Sequence, residues 1–178
     1  MTVLIIGGGG REHAIAWKLA QSPKVTKLWC APGNGGIGDI AECVPIAATD
    51  LDSIVAFAKE NRPHLTVVAP DDPLVLGLVD RLEEEGLRAF GPSANAAIIE
   101  GSKCFSKNLM KKYNIPTAAY ESFGNSADAI QYIKETGAPI VVKADGLALG
   151  KGVTVAMTVA EAEAAVHSIM EDRAFGKA

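Results

Sequence analysis

The sequence predicts an α/β protein in which a parallel sheet is covered by helices on both faces. Apolar segments of strand length alternate with segments of helical periodicity, and this alternation is typical of the βα units that build a parallel sheet. Residues 65–69 contain no polar residue except Thr66, so we expect a strand that is buried on both faces. The 178 residues are 48% hydrophobic and 21% charged, which is the composition of an ordinary globular protein.

The first ninety residues contain alternating strands and helices. Thr49 and Asp52 form a capping box, with Asp in place of the usual Glu, and begin a helix that Pro63 ends. Gly86 is a C-cap glycine that ends the next helix. The predicted strands are 3–6, 27–30, 42–46, 65–69 and 87–90, and the other predicted helices are 11–21 and 74–85.

The pattern changes at residues 91–93, Gly-Pro-Ser, and we expect a domain border near residue 100. Ser126 is the predicted cap of one later helix, and Thr158 and Glu161 form a complete capping box for the last one. The predicted helices are 94–100, 103–113, 127–136 and a last helix that ends near 170, and the predicted strands are 119–123, 139–144 and 153–157.

The charges and the apolar segments exclude several classes of protein. The net charge is −4 and the basic residues are dispersed, so the sequence offers no electrostatic surface for nucleic acid. No apolar run is long enough to span a membrane and no signal peptide opens the chain, so we expect a cytoplasmic protein without membrane contact. The three cysteines form no CxxC pair and the three histidines offer no ligand cluster, so we predict no metal site within this chain.

Four consecutive glycines, residues 7–10, lie between the first strand and the first helix. A dinucleotide fingerprint requires a third glycine where Glu12 stands, and an acidic residue about 20 positions later, where this chain has the uncharged segment 31–34. The loop therefore favours a single phosphate, because a glycine loop at a helix N-terminus exposes free backbone N–H groups and the positive end of the helix dipole. A tight turn without a ligand is the alternative.

Two carboxylates, Asp71 and Asp72, follow the buried strand 65–69 at its carboxyl end. Ligands of open α/β sheets bind at that edge, where a carboxylate can accept hydrogen bonds from both hydroxyls of a ribose. Either residue could equally cap the helix that follows. The sequence leaves these two interpretations open.

Lys143 interrupts an apolar strand, and a buried ammonium requires a counter-charge, so we expect Lys143 to face a cleft that contains anions. Residues 145–152 contain three glycines and Lys151. They do not form a P-loop, because no Ser or Thr follows the lysine and a strand comes next. We expect a lid over nucleotide phosphates between two antiparallel strands, and an ordinary hairpin with a solvated Lys151 is the alternative.

Four segments together resemble a known family. "GGGGREHA", "APGN", "FGPS…EGSKCFSKNLMKKYNIPTA" and "VVKADGLALGKGV" occur in this order and are similar to the phosphoribosylamine–glycine ligase (glycinamide ribonucleotide synthetase) family of the ATP-grasp superfamily. The resemblance covers essentially all 178 residues. It implies a Rossmann-like (pre-ATP-grasp) phosphoribosyl domain at 1–100 and the N-terminal part of an ATP-grasp domain at 101–178, including a small lid lobe at about 117–178.

The resemblance also implies site residues. Asp71 stands in "APDDPL", where the family's usual motif "GPE.PL" has a glutamate that holds the ribose hydroxyls, and Asp72 is the alternative for that role. Lys143 is the implied catalytic residue. The implied phosphate and substrate residues are Gly8, Gly9, Gly10, Arg11 and Asn34, together with Asp71. The implied ATP-binding residues are Lys103, Lys143, Asp145, Gly146, Gly150, Lys151 and Gly152.

The implied reaction joins glycine to 5-phosphoribosylamine. ATP activates the glycine carboxylate as an acyl phosphate, the amine attacks it, and ADP and phosphate leave. Family members continue beyond residue 178 with a lobe that carries the ligands for Mg²⁺ or Mn²⁺, so we expect the chain alone to be inactive, and we expect a monomer that binds small molecules only. Another purine-pathway ATP-grasp enzyme and a non-catalytic nucleotide-binding or dinucleotide-binding module are the alternatives.

Overall fold

The structure is a computed structural model that describes residues 1–146 and 152–172. The chain divides into two compact units, Met1–Ile98 and Ile99–Ala178, and each unit has a sheet of its own. Within the described ranges no helix has the length and apolarity needed to cross a membrane.

The first unit is built on a five-stranded parallel sheet. Its strands follow the order β3-β2-β1-β4-β5, and every neighbouring pair is parallel. This is the strand order of doubly wound nucleotide-binding sheets, so the predicted parallel sheet is confirmed. The strands are β1 (Thr2–Gly7), β2 (Lys27–Pro32), β3 (Glu42–Cys43), β4 (Leu65–Val68) and β5 (Ala89–Phe90).

Helices cover both faces of this sheet. The helices are α1 (Gly10–Ala20), α2 (Leu51–Asn61), α3 (Asp71–Val75) and α4 (Leu78–Glu84), α5 (Ala94–Gly101) contains the division between the units, and a 3₁₀ helix spans Ile37–Asp39. Along β1, Leu4 and Ile6 belong to a buried cluster that includes residues of α2 and α4. Val3 and Ile5 point to the other face and share a second cluster with Ala16 of α1. β4 is buried on both faces, as predicted, and Thr66 is fully inaccessible.

Two predictions in the first unit are wrong in detail. The single helix expected at 74–85 is divided into α3 and α4, because Gly77 between them has a left-handed φ of +86°. The N-cap of α2 is Asp50, whose side chain accepts from the Ser53 amide at 3.1 Å, and not the neighbouring Thr49. Gly86 does end α4 as predicted, with a φ of +67°.

The second unit contains a two-stranded antiparallel sheet packed against two helices. Ile140 pairs with Ala156, and Lys143 pairs with Val153. The buried cluster of this unit includes Ile133, Ala156 and Val166. Its elements are α6 (Lys103–Lys112), α7 (Ser126–Thr136), β6 (Ile140–Lys143), β7 (Val153–Ala156) and α8 (Val159–Met170). The predicted antiparallel pair and the capping box of Thr158 and Glu161 are confirmed.

Two other predictions in this unit are wrong. Residues 119–123 do not form a strand. Phe123 instead packs its ring against Tyr132, with the ring centroids 5.3 Å apart, and joins the buried cluster without a partner strand among the described residues. The cap of α7 is Asn125, which accepts from the Asp128 amide at 2.9 Å, and Ser126 is already the first helical residue.

Candidate functional site

Residues 7–10 connect β1 to α1, and packing explains the glycines at the first two positions. Gly7 has a φ of +117°, and a Cβ there would lie 2.7 Å from both Glu12 Cγ and Pro70 Cγ. A Cβ on Gly8 would overlap the carbonyl oxygen of Gly33. A Cβ on Gly10 would meet no atom within 4 Å. The turn therefore requires Gly7 and Gly8, and leaves Gly10 without a packing explanation.

The carbonyl groups of this loop are occupied, whereas some of its amides are free. Three hydrogen bonds use the carbonyls: Gly7 O accepts from Gly33 N (3.1 Å), Gly8 O from Asn34 Nδ2 (2.8 Å) and Gly9 O from His13 N (3.0 Å). The amides of Gly10 and Arg11 have no acceptor among the described residues, because the first amides of an α-helix lack a partner within the helix. Both residues are exposed, so an anion in solution can reach these two donors.

Asn34 lies against the glycine loop and fixes its position. Its Nδ2 donates to Gly8 O at 2.8 Å, and its Oδ1 accepts from the amide of Ile37 at 2.9 Å. The carboxamide therefore ties the loop after β1 to the loop after β2. We expected Asn34 to line a phosphate pocket, and its observed contacts make it a support of the loop that would form that pocket.

Asp71 lies close to the glycine loop but does not cap a helix. Pro70 occupies the N-cap position of α3, and Asp71 and Asp72 lie in its first turn, so the capping interpretation is wrong. The Asp71 Oδ1 atom is 3.7 Å from Nη1 of Arg11, and the two side chains are 40% and 68% exposed. Such an exposed pair contributes little to stability. The structure thus brings Arg11 and Asp71 together at the carboxyl edge of the sheet.

In the second unit, Asp145 binds the N-terminus of α6. Its Oδ1 accepts from the amides of Lys103 and Cys104 at 2.6 and 3.2 Å, and its Oδ2 accepts from the Ser102 hydroxyl at 3.0 Å. The ammonium of Lys103 donates to the carbonyl oxygen of Gly146 at 2.6 Å. Sequence reasoning missed Ser102, although Ser directly before a helical pattern is a common N-cap signal.

The hydrogen bonds to Asp145 also explain its acidity. Partial burial by itself raises the pKa of Asp145, because it disfavours the charged carboxylate. The hydrogen bonds from the amides of Cys104 and Gly146 and from Ser102 and Cys104 side chains outweigh this effect, so the pKa is lowered overall. Asp145 is therefore held as an anion by donors of its own unit.

The expectation that Lys143 is buried is wrong. Lys143 is exposed, and it shares one face of the β-hairpin with Val141 and Val155, which are 48% and 65% exposed. Only the opposite face, with Ile140 and Ala156, packs on the helices of this unit. A solvated ammonium needs no counter-charge, so the expectation of an anion near Lys143 rests on the family resemblance and not on burial.

The structure describes only part of the predicted nucleotide loop at 145–152. Gly146 is described and has a φ of +88°. Gly152 is buried, and its carbonyl accepts from the Ala144 amide at 2.8 Å, which extends the ladder of β6 and β7. Gly150 and Lys151, with the rest of the predicted lid at 147–151, lie outside the described residues.

Sequence reasoning also missed Glu12. The sequence shows Glu12 only as the residue that replaces the third glycine of a dinucleotide fingerprint, yet in the structure it is 3% exposed and its Oε2 accepts from the Gly9 amide at 2.6 Å. Its position three residues after the N-cap Gly9 is the usual place for a carboxylate that bonds back to the helix start. Among the described residues no cluster of three or more metal-ligating side chains occurs.

Comparison with known proteins gives the chain a family. Residues 1–100 match the family described as "Phosphoribosylglycinamide synthetase, N domain", and residues 101–178 match "Phosphoribosylglycinamide synthetase, ATP-grasp (A) domain". The phosphoribosylamine–glycine ligase of Halalkalibacterium halodurans is 57% identical over 178 residues, which are 100% of this chain and 42% of that protein. The chain thus spans less than half the length of the curated relatives that it matches.

Two solved structures share the fold. The crystal structure of phosphoribosylamine–glycine ligase from Thermotoga maritima has a TM-score of 0.78 and 29% identity, and the match covers 99% of this chain and 41% of that chain. The biotin carboxylase domain of Hydrogenobacter thermophilus 2-oxoglutarate carboxylase, in complex with MgADP, ADP and bicarbonate, has a TM-score of 0.75 and covers 98% of this chain and 42% of that chain. At 18% identity, the second likeness concerns the fold alone.

Proposed function

The chain belongs to the phosphoribosylglycinamide synthetase family, and on that premise we propose that it is the N-terminal part of an ATP-dependent ligase of purine biosynthesis. The ligase joins glycine to 5-phosphoribosylamine and forms glycinamide ribonucleotide, ADP and phosphate. We assign phosphoribosyl binding to residues 1–100 and the start of an ATP-grasp domain, with the small lid lobe, to 101–178.

The free amides at the start of α1 are the observation that carries this proposal. Gly10 and Arg11 are exposed, their amides have no acceptor among the described residues, and the preceding carbonyls are occupied. A phosphate there receives two backbone hydrogen bonds and the positive end of the helix dipole. We therefore assign the 5-phosphate of phosphoribosylamine to the loop of Gly8, Gly9 and Gly10, with Arg11 beside it.

The ribose belongs next to this phosphate. Asp71 lies 3.7 Å from Arg11, and its carboxylate is partly exposed, so its oxygens are open to the ribose hydroxyls. Asp72 is the alternative partner because it occupies the next position of the same helical turn. Asn34 supports the loop from the opposite side through Gly8.

Lysines of the second unit are the proposed partners of ATP. Lys103 and Lys143 contact the nucleotide phosphates, and Gly146, Gly150, Lys151 and Gly152 belong to the loop that covers them. The reaction transfers the terminal phosphoryl group to the glycine carboxylate, and fixed cations near that group stabilise the charge in the transition state. We give this catalytic role to Lys143 because of the family resemblance, and its exposed side chain leaves it accessible to a phosphate. Asp145 serves the ATP site through its contacts with Lys103.

The described residues do not fit a binding site for Mg²⁺ or Mn²⁺, since they contain no cluster of three or more suitable side chains. The relatives are more than twice as long as this chain. We therefore assign the metal ligands to the part of the full-length protein that lies outside these 178 residues. The relatives are ligases by name, and we propose a monomeric cytoplasmic enzyme that binds small molecules and no nucleic acid.

An assay of ADP release by the full-length protein that contains this chain tests the proposal. ADP release should require glycine and phosphoribosylamine together. Lys143→Ala should lower kcat by about 10²–10³, the usual cost of removing one donor to a transition-state charge. Lys111→Ala, which removes an exposed lysine of α6, is the matched control and should keep the wild-type rate. ADP release that is independent of glycine or of phosphoribosylamine contradicts the assignment.

A further inference from the structure

Glu12 is a buried carboxylate beside the phosphate-binding loop, and its hydrogen bond to the helix start accounts for only one of its two oxygens. Its side chain is 3% exposed. Oε2 accepts from the Gly9 amide at 2.6 Å, whereas Oε1 has no hydrogen-bond partner among the described residues. Leaving a buried carboxylate oxygen without a partner is costly, and an apolar side chain of similar size would fill the same space without that cost.

The loop is shaped around this side chain. A Cβ on Gly7 would lie 2.7 and 2.8 Å from Glu12 Cγ and Cδ, and a Cβ on Gly9 would lie 2.8 Å from Oε2. A side chain at Gly7 or at Gly9 would therefore compete with Glu12 for the same space. In a dinucleotide-binding loop the corresponding residue is a glycine, which lets the strand and the helix pack closely. Here a carboxylate fills that gap.

The hydrogen bond to Glu12 also changes what the loop can donate. The Gly9 amide is used within the protein, so among the exposed residues 9–11 of this loop Gly10 and Arg11 are the two whose amides have no acceptor within the described chain. Two donors suit one terminal phosphate. A diphosphate bridge requires more donors along the loop, and its second phosphate would approach the negative charge of Glu12.

We propose that Glu12 is a positioning and specificity residue of the phosphate site: it binds the Gly9 amide, which holds the loop in the shape that receives a sugar monophosphate, and its negative charge keeps out the second phosphate of a dinucleotide. The inference rests on the proposed function, since it assumes that the loop binds the 5-phosphate. It adds that the selectivity resides in a residue that does not touch the ligand.

Amide chemical shifts in the 178-residue chain test this inference. Ribose 5-phosphate and NAD are titrated separately to millimolar concentration into the ¹⁵N-labelled wild type, Glu12→Gln and Glu12→Gly. In the wild type, ribose 5-phosphate should shift the Gly10 and Arg11 amides and leave the Gly9 amide nearly unchanged, and NAD should shift none of the three. Glu60→Gln, which removes an exposed charge of α2, is the control for net charge and should behave as the wild type.

The two variants separate shape from charge. Glu12→Gln keeps an acceptor for the Gly9 amide, so its affinity for ribose 5-phosphate should stay within about threefold of the wild type, while NAD begins to bind because the charge is gone. Glu12→Gly removes the side chain that holds the loop in place, so the loop must be ordered when the ligand binds, and ribose 5-phosphate should bind about tenfold more weakly. NAD should then shift all three amides.

The failures of the two proposals are distinguishable. A wild-type chain that does not bind ribose 5-phosphate at the loop overturns the phosphate site and this inference with it. A wild-type chain that binds it, but shows the Gly9 amide shifting as much as that of Gly10, overturns the role of Glu12 alone. A folded Glu12→Gln variant that still does not bind NAD also overturns the role of Glu12, and this result can be read even if Glu12→Gly does not fold.

Discussion

Replacing Asp145 with alanine should release the start of α6 from the end of β6. The carboxylate accepts from the Lys103 amide at 2.6 Å, from the Cys104 amide at 3.2 Å and from the Ser102 hydroxyl at 3.0 Å. In Asp145→Ala all three donors lose this acceptor, although Ser102 still accepts from the Phe105 amide as the N-cap. The Lys103 side chain would then keep only its contact with the Gly146 carbonyl as a link to this segment.

The magnitude follows from these contacts. Loss of a helix cap costs about 1 kcal/mol, and hydrogen bonds to a charged group contribute about 1.5–3 kcal/mol each when buried. Asp145 is only partly buried, so in the variant water can accept hydrogen bonds from some of the donors that lose the carboxylate. We therefore expect Asp145→Ala to lower the free energy of unfolding of the second unit by about 2 kcal/mol. Asp145→Asn retains one carbonyl oxygen as an acceptor and should cost about half as much.

Hydrogen exchange and fluorescence measure this effect in the 178-residue chain. The amides of Lys103 and Cys104 should exchange about 30-fold faster in Asp145→Ala, the factor that corresponds to about 2 kcal/mol. Both tryptophans, Trp17 and Trp29, belong to the first unit, so the urea transition seen by tryptophan fluorescence should not change. Asp172→Ala, which removes an exposed carboxylate of the same unit, is the control.

The pH dependence has a defined sign. Because the folded pKa of Asp145 is lowered, its stabilisation is present above the unfolded pKa of about 3.9 and is lost as the pH falls through the folded pKa. The stability difference between the wild type and Asp145→Asn should therefore be constant near neutral pH and shrink below about pH 4. Unchanged exchange at Lys103 in Asp145→Ala, or a difference that grows towards acid, refutes this reasoning.

Three other predictions follow from the first unit. Gly10→Val should leave the fold intact, because a Cβ there meets nothing within 4 Å, but it should weaken ribose 5-phosphate binding at least tenfold in a calorimetric titration. Gly9→Val should also disturb Glu12. If both variants kept the wild-type affinity, the glycines would form a turn without a role in binding. Residues 1–98 alone should unfold cooperatively in urea, since the two clusters on their sheet are complete within that unit; a broad, non-cooperative transition counts against this. Burial, with Cys43 and Glu12 nearby, raises the pKa of Cys30 to about 12. At pH 8 a thiol reagent should therefore label Cys43 well before Cys30, as measured by mass spectrometry. Equal labelling of the two cysteines in the native chain contradicts this.

Local patterns predicted most of the fold. The apolar run of β4 indicated a strand buried on both faces, and the structure confirms it because helices supply the cover on each side of the sheet. The capping box of α8 was also predictable, since Thr158 and Glu161 are three residues apart and bond to each other's backbone. In these cases the residues that decide the structure are neighbours in sequence.

The predictions that are wrong concern places where the structure depends on residues far apart in sequence, or where two neighbouring residues are equally suited to the same role. Thr49 and Asp50 are both good N-caps, and nothing local selects Asp50. Residues 119–123 have a strand-like pattern, but a strand needs a partner backbone, and their sequence does not show whether one is present. The contact between Asp145 and the amide of Lys103 spans 42 residues, so no periodicity or spacing rule could reveal it.

The two helix N-termini proposed to serve ligands solve the same chemical problem in opposite ways. At the start of α6 a carboxylate of the protein, Asp145, already accepts from the first amides, so this helix can contact a nucleotide phosphate through the Lys103 side chain and not through these amides. At the start of α1 the protein carboxylate, Glu12, accepts from Gly9 alone and leaves Gly10 and the residue after it open. A backbone site is rigid and selects by shape, whereas a lysine is mobile and acts as a point charge. The backbone site of α1 therefore suits recognition of a phosphate that does not react. The lysine site of α6 suits a phosphoryl group that moves during the reaction.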